Sequence, residues 1–261
     1  ANALDVAAVR RIFEAKGRPL TSPLIVHVAS ADMARSLAAE WRPEAEALAK
    51  RFWPGPLTLV VPKKPIVPDV VTAGLPSVGL RMPAHPLAQS LLEATGLPLA
   101  APSANRFTEL SPTTAEHVRR AFETVGAGPD MILDGGPCTV GIESTVLSLI
   151  GPRPVILRPG MITQAAIEEV VGRVLSGPAD VGSGVAAESP GLRARHYSPR
   201  TPVYLGEVPD NGRGFRLRPS AMPTDAAGYA QVLYGLLHDL DRKGYDWISI
   251  ELPPDTPEWA G

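Results

Sequence analysis

Three short runs gather the residue types that handle anions: Lys16-Gly17-Arg18-Pro19, Gly79-Leu80-Arg81-Met82-Pro83, and Pro102-Ser103-Ala104-Asn105 with Ser111-Pro112 behind it. Lys16 and Arg18 supply a point charge and a planar fork suited to phosphate oxygens, on a loop stiffened by Pro19. The same pair also suits a solvated helix C-terminus, where cations complement the dipole. Arg81 ends an apolar strand, a position that serves a carboxylate clamp or a structural ion pair. Ser103, Asn105 and Ser111 offer small polar groups at strand and helix ends, where anion binding and plain turn capping use the same chemistry. Taken alone, His27 inside Leu24-Ile25-Val26-His27-Val28 reads as a core histidine, not a base. Glu143-Ser144-Thr145 adds hydroxyls, and Arg158-Pro159-Gly160 closes a strand with another guanidinium. Together these runs suggest a phosphate-handling enzyme, although no Walker-type loop, dinucleotide glycine fingerprint or paired-histidine metal motif occurs.

The elements that must position these groups alternate. Asp5 caps a helix with apolar Val6, Val9, Ile12 and Phe13, and Gly17 stops it. Leu24 to Val28 reads as a strand, residues 31 to 52 as helical, and Leu57 to Val61 as a strand entered from Trp53-Pro54-Gly55-Pro56. Further strands are expected at Val78 to Arg81, Leu99 to Ala101, Met131 to Leu133, Thr145 to Leu149 and Val155 to Leu157. Helices are expected at Pro86 to Ala94, after Thr113-Thr114, and from Thr163 through Leu175. Some strand connections are too short for helical crossovers, so the class is α/β with a mixed sheet. Ser176 to Arg200 is rich in Gly, Ser, Ala and Pro and reads as a linker. Val203 to Leu205, a helix through Tyr229 to Leu237, and Trp247 to Ile250 then form a strand-helix-strand unit. The expected organisation is a first domain over 1–175, a linker or lid over 176–201, and a small α/β domain over 202–261.

The 261 residues carry a formal charge of −2, so no global basic field drives extended nucleic-acid binding. Cys138 is the sole cysteine, which excludes an intrachain disulfide and a cysteine-rich zinc site and fits a cytoplasmic setting. No apolar run approaches the roughly 20 residues of a membrane helix.

The order and spacing of the motifs are more specific than any one of them. Lys-x-Arg-Pro with Pro23-Leu24-Ile25-Val26-His27, Phe52-Trp53-Pro54-Gly55-Pro56-Leu57-Thr58, Gly79-Leu80-Arg81-x-Pro83, Pro102-Ser103-Ala104-Asn105, Glu143-Ser144-Thr145 and Arg158-Pro159-Gly160 resemble the YrdC-like threonylcarbamoyl-AMP synthases. Ser189-Pro190-Gly191 and Arg195-His196-Tyr197-Ser198-Pro199 resemble the linker of the family's two-domain form.

That resemblance implies a twisted YrdC-like mixed sheet with flanking helices, followed by a small Rossmann-like α/β domain. It implies that ATP, bicarbonate and L-threonine, with Mg2+, give threonylcarbamoyl-adenylate and pyrophosphate, the adenylate then serving transferase proteins that modify transfer RNA. By the same resemblance Arg81 holds the threonine carboxylate, and His27, Ala101 and Ser144 line that pocket. Arg18, Ser22, Ser77, Ser103, Asn105, Ser111 and Arg158 face ATP, with Lys16 and Arg18 in the catalytic role and His196 and Tyr197 as a lid over the nucleotide. Ser22 stands where the family usually has asparagine, and the strand and loop that normally precede the position of Ala1 are expected to be missing. The C-terminal domain is expected to lack its last helix. The competing expectation is a module that binds RNA or nucleotide without turnover.

Overall fold

The first helix begins and ends on the residues expected of it. The Asp5 carboxylate accepts hydrogen bonds from the Ala7 and Ala8 N–H groups, α1 runs Val6–Lys16, and Gly17 takes the left-handed conformation at φ 61°. The Gly17 and Arg18 amides bond back to the Glu14 and Phe13 carbonyls at 3.2 and 2.9 Å. The helix exit therefore fixes the path of the Lys16 to Arg18 loop.

A computed structural model of the chain describes residues 1–123, 126–177, 197–206 and 208–260. The chain divides into two units, one of Ala1–Pro102 with Glu143–Leu192 and one of Ser103–Ile142 with Arg193–Gly261. Its helices are α1, α2 (Ala31–Leu37), α3 (Pro43–Phe52), α4 (Asp69–Thr72), α5 (Pro86–Thr95), α6 (Ala115–Phe122), α7 (Gln164–Val171) and α8 (Ala226–Asp241).

The first unit holds a seven-stranded sheet of β1 (Ile25–His27), β2 (Leu57–Pro62), β3 (Ser77–Arg81), β4 (Leu99–Ala100), β5 (Thr145–Ser148), β6 (Val155–Arg158) and β7 (Leu175–Ser176). Their order is β4-β1-β3-β2-β5-β6-β7. The pairs β1/β3, β2/β5 and β6/β7 are parallel and the others antiparallel, so the sheet is mixed as expected. Strand residues alternate between faces. Val26, Leu59, Leu80 and Leu147 fall on one face and join Val9, Leu48 and Ile167 in a core where each is 0 % exposed. Each such leucine contributes about 2 kcal/mol by leaving water, so this face anchors the sheet.

Three expected elements differ. Residues 31–52 are not one helix: α2 ends at Leu37, and α3 starts with Pro43 at its first turn, where a missing N–H costs nothing. The helix after Thr163 stops at Val171 because Gly172 follows at φ 73°, and Leu175–Ser176 pairs with β6 as an edge strand. Met131 to Leu133 forms no strand: Met131 and Leu133 are 75 % and 51 % exposed, so apolar character there reports no burial. The short helix α4 was not expected.

In the second unit β8 (Val203–Leu205), β9 (Gly214–Leu217) and β10 (Trp247–Ile250) form a sheet of order β8-β10-β9, with β10 parallel to both neighbours. The middle strand of the sequence, β9, was missed. Leu237 and Leu240 of α8 pack with Ile248 of β10 and with Leu110 in one buried cluster. Gly141, at φ 83°, lies so close to α8 that a Cβ would stand 2.2 Å from the Ala230 carbonyl oxygen. Only glycine meets both demands there.

Candidate functional site

Alternation places the sequence-selected residues of the first unit on the sheet face opposite the core. Val26 and Leu80 are core, so Ile25 and His27 of β1, and Ser77, Gly79 and Arg81 of β3, point the other way. Thr58 joins them from β2: a Cβ on Gly79 would lie 3.3 Å from its Cγ2 and 3.7 Å from Ile25 Cγ1. Ala101 continues from β4, its N–H bonded to the Ile25 carbonyl at 3.2 Å. A small cavity on this face is lined by Pro23, Ile25, Thr58, Ser77, Gly79 and Val146. A side chain at position 79 would intrude on it.

One end of this face collects the charged and hydroxyl groups. His27 and Arg81 are partners across β1 and β3, β2 starts beside them, and β5 starts next to β2 with Leu57 opposite Thr145. The Trp53 to Pro56 turn is bonded on both sides, Gly55 N–H to the Met82 carbonyl at 2.8 Å and Thr145 N–H to the Pro56 carbonyl at 2.9 Å. Arg81 Nε donates to the Gly55 carbonyl at 3.1 Å. The guanidinium is thereby oriented by the backbone of a fixed turn.

Arg158 reaches the same end through an irregularity. The register of β5 and β6 shifts between Val146 and Leu147, so Val146 faces Arg158 while Leu147 faces Ile156. This bulge lets Arg158 share the face of Val146 although Ile156 belongs to the core. Its Nε and Nη2 donate to the Ser144 carbonyl at 3.1 and 2.9 Å, and Nη2 also to Ser144 Oγ at 3.1 Å. Ser144 Oγ lies 2.8 Å from Thr58 Oγ1. Thr58, quoted in the sequence only as the end of the Phe52 to Thr58 run, thus stands against a predicted site residue; its signal was a lone hydroxyl within Leu57 to Val61.

Lys16, Arg18 and Arg158 are only 5 %, 7 % and 8 % exposed. The solvated-cation reading of the first loop is therefore wrong. Arg18 Nη2 donates to Ser22 Oγ at 2.6 Å and to the Pro23 carbonyl at 2.9 Å, and Nε donates to the Ser22 carbonyl at 3.3 Å. The serine at position 22 is used to steady the arginine, and the loop that carries Lys16 and Arg18 closes on itself just before β1. Fixed cations of this kind offset developing negative charge without reorganising.

His27 is in part the satisfied core histidine expected from its neighbours, with the Leu99 and Ile25 backbones beside its ring. Its side chain is half-buried, and its Nδ1 is buried with no hydrogen-bond partner among the described residues. Burial first, and then the positive charge of Arg81, hold its pKa down to about 3. The ring is neutral at physiological pH. Because the folded pKa lies below the unfolded value, the stability tied to neutral His27 is present above about pH 6.5 and lost as pH falls toward 3. His27→Gln is expected to flatten the fall in urea midpoint between pH 6.5 and 4; an unchanged slope would show that His27 does not carry it.

The remaining candidates belong to the second unit. Asn105 is 2 % exposed, and its Nδ2 donates to the Arg106 and Glu109 carbonyls at 3.0 and 2.7 Å. Its amide ties its own loop. Ser111 is buried, its carbonyl 3.0 Å from His238 Nε2, and Ser103 is partly exposed. Tyr197 adopts φ 52°, with its ring centroid 6.3 Å from that of Tyr234, and Ser198 N–H bonds the Thr108 carbonyl at 3.1 Å. His196 lies outside the described residues.

The Sua5/YciO/YrdC family model, described as telomere recombination, matches residues 1–160. The chain belongs to the Sua5/YrdC family. A second model, the threonylcarbamoyl-AMP synthase C-terminal domain, matches residues 162–261. The threonylcarbamoyl-AMP synthase of Pyrococcus abyssi is 50 % identical over 80 % of this chain and 61 % of its own length, and that of Bacillus subtilis 47 % identical over 98 % and 81 %. That sequence alignment spans less than two thirds of the P. abyssi relative's length. A crystal structure of P. abyssi Sua5 complexed with L-threonine superposes with a TM-score of 0.91 at 40 % identity, covering 100 % of this chain and 83 % of that one. Among the described residues no helix of this Sua5/YrdC family member is long and apolar enough to cross a membrane.

Proposed function

We propose that the chain is a threonylcarbamoyl-AMP synthase, forming L-threonylcarbamoyladenylate and pyrophosphate from L-threonine, bicarbonate and ATP. The observation that carries this reading is the single sheet face holding His27, Ser77, Arg81, Ser144 and Arg158, in a chain whose curated relatives bear that name. The threonine amine and bicarbonate condense to a carbamate with loss of water. A carbamate oxygen attacks the α-phosphorus and pyrophosphate leaves. ATP, bicarbonate, the carbamate and the threonine carboxylate are all negatively charged, so the work is placement and charge, and no protein nucleophile is needed.

In this assignment Arg81 clamps the threonine carboxylate, with neutral His27, Ala101 and Ser144 as pocket walls. Arg18, Ser22, Ser77 and Arg158 of the first unit face ATP, and Lys16 and Arg18 offset the charge of the departing pyrophosphate. Among the described residues no group of three or more His, Cys, Asp or Glu is placed to hold a metal. Magnesium enters as MgATP, ligated by phosphates and water. The adenylate is consumed by proteins that transfer its threonylcarbamoyl group to adenosine in transfer RNA.

The test is pyrophosphate release from MgATP and bicarbonate with and without L-threonine. Threonine-dependent release supports the assignment, and release indifferent to threonine, or none, overturns it. Arg81→Ala is expected to raise the KM for threonine by about tenfold to a hundredfold with the ATP dependence nearly unchanged. Equal loss for both substrates would remove Arg81 from the threonine site.

A further inference from the structure

The second unit contains a cavity of about 190 Å³ that none of the assigned site residues lines. Arg106, Arg120, Arg200 and Arg242 line it against two carboxylates, Glu109 and Asp241. Asp241 is already engaged: it accepts the Thr201 N–H at 2.7 Å, the Thr201 hydroxyl at 2.8 Å and Arg200 Nε at 3.2 Å. Arg120 Nε bonds Glu116 at 2.6 Å and Arg242 lies 3.5 Å from Asp239, both pairs at exposed side chains where water screens them. The lining itself holds four guanidinium groups against two carboxylates.

Two histidines complete the lining. His117 of α6 stacks on His238 of α8 with centroids 3.9 Å apart and planes 23° apart. The Thr113 N–H donates to His117 Nδ1 at 3.3 Å, which leaves Nε2–H as the donor of the neutral ring. His238 Nε2–H donates to the Ser111 carbonyl. Cations and ring nitrogens therefore come from a loop, two helices and the 198–200 segment, which enclose a concave space instead of presenting a flat face to a duplex backbone.

We propose that this cavity binds a small polyphosphate, of the class of pyrophosphate or a nucleotide's phosphate tail, at a site separate from the sheet face of the first unit. Guanidinium forks match phosphate oxygens in pairs, and the volume exceeds the ~30 Å³ of a single water several times over. Binding draws on protons as well. Burial and then the neighbouring His238 charge hold His117 down to about 4, with Arg120 and Arg242 acting in the same direction and Asp239 opposing. Burial likewise lowers His238, against the Ser111 carbonyl, Asp241 and Asp239. With Arg106, Arg200 and Glu109 on the other walls, an added polyanion raises both histidines, so it binds more tightly as pH falls toward 4.

The test follows the His117 and His238 ring resonances by NMR while the full chain is titrated at pH 6 with inorganic pyrophosphate, with ATP, and with a transfer RNA. Saturable shifts of both rings with pyrophosphate or ATP, weakened about tenfold or more in Arg106→Gln/Arg120→Gln, support the proposal, and which of the two binds tighter names the source. Rings unmoved by either ligand, shifts that persist undiminished in the double variant, or shifts with transfer RNA alone overturn it. The rings report this cavity locally, so the result is independent of turnover at the first unit.

Discussion

Arg18→Ala is expected to lower kcat/KM for threonine-dependent pyrophosphate release by about 10³-fold, with the protein still folded at 25 °C. Two effects of the substitution add. In the proposed function the guanidinium supplies fixed positive charge where pyrophosphate departs, and its removal leaves that charge unmatched in the transition state. It also strips Ser22 Oγ, the Ser22 carbonyl and the Pro23 carbonyl of the donor that holds the loop. A buried acceptor without its donor costs about 1–3 kcal/mol, so the unfolding midpoint falls as well. Arg18→Lys separates the two: it keeps the charge but cannot span a hydroxyl and two carbonyls, so it is expected to recover most of the turnover while its unfolding midpoint stays lowered. Turnover by Arg18→Ala within a few-fold of the parent, at a temperature where circular dichroism shows both folded, would take Arg18 out of the catalytic role.

The second large effect concerns a residue with no side chain. A Cβ on Gly160 would stand 2.6 Å from the Thr145 nitrogen, 2.7 Å from the Glu143 oxygen and 2.9 Å from the Ser144 carbonyl carbon. All three are backbone atoms at the start of β5, so no rotamer change relieves the clash; either β5 or the chain after β6 must move. Gly160→Ala is expected to cost about 3 kcal/mol in urea unfolding and to raise the KM for ATP, because Ser144 and Arg158 sit on the two segments forced apart. Gly126→Ala, where a Cβ meets nothing within 4 Å, is the control and should change stability by less than about 0.5 kcal/mol. A Gly160→Ala protein as stable as that control would mean that the close approach is not maintained in solution.

Local signals made much of this architecture readable. Asp5 and Gly17 bracket α1, Thr114 and Thr163 cap α6 and α7, and the strands β1 to β6 lie within a residue or two of their apolar runs. What alternation could not reveal was the bulge opposite Val146. Period-two counting from Ile156 sends Arg158 into the core, and only the paired strand shows the extra residue. The burial of Lys16 and Arg18 was equally hidden, since a helix C-terminus with two cations looks alike whether it faces water or a sheet. Thr58 was masked by its neighbours, an apolar run in which one hydroxyl carries little weight until Ser144 is seen beside it. Nor does any pattern between 103 and 142 announce that Leu110 and Gly141 find their partners on α8, far along the chain.

That last pairing bears on how the protein is made. Ser103–Ile142 leaves the ribosome well before the Arg193–Gly261 segment with which it forms a unit, so Leu110 must wait in water until Leu237, Leu240 and Ile248 have been synthesised. A nascent chain stalled or cleaved in that interval would carry a finished sheet core and a Leu110 with no cluster to join, a species for chaperones to hold and proteases to find.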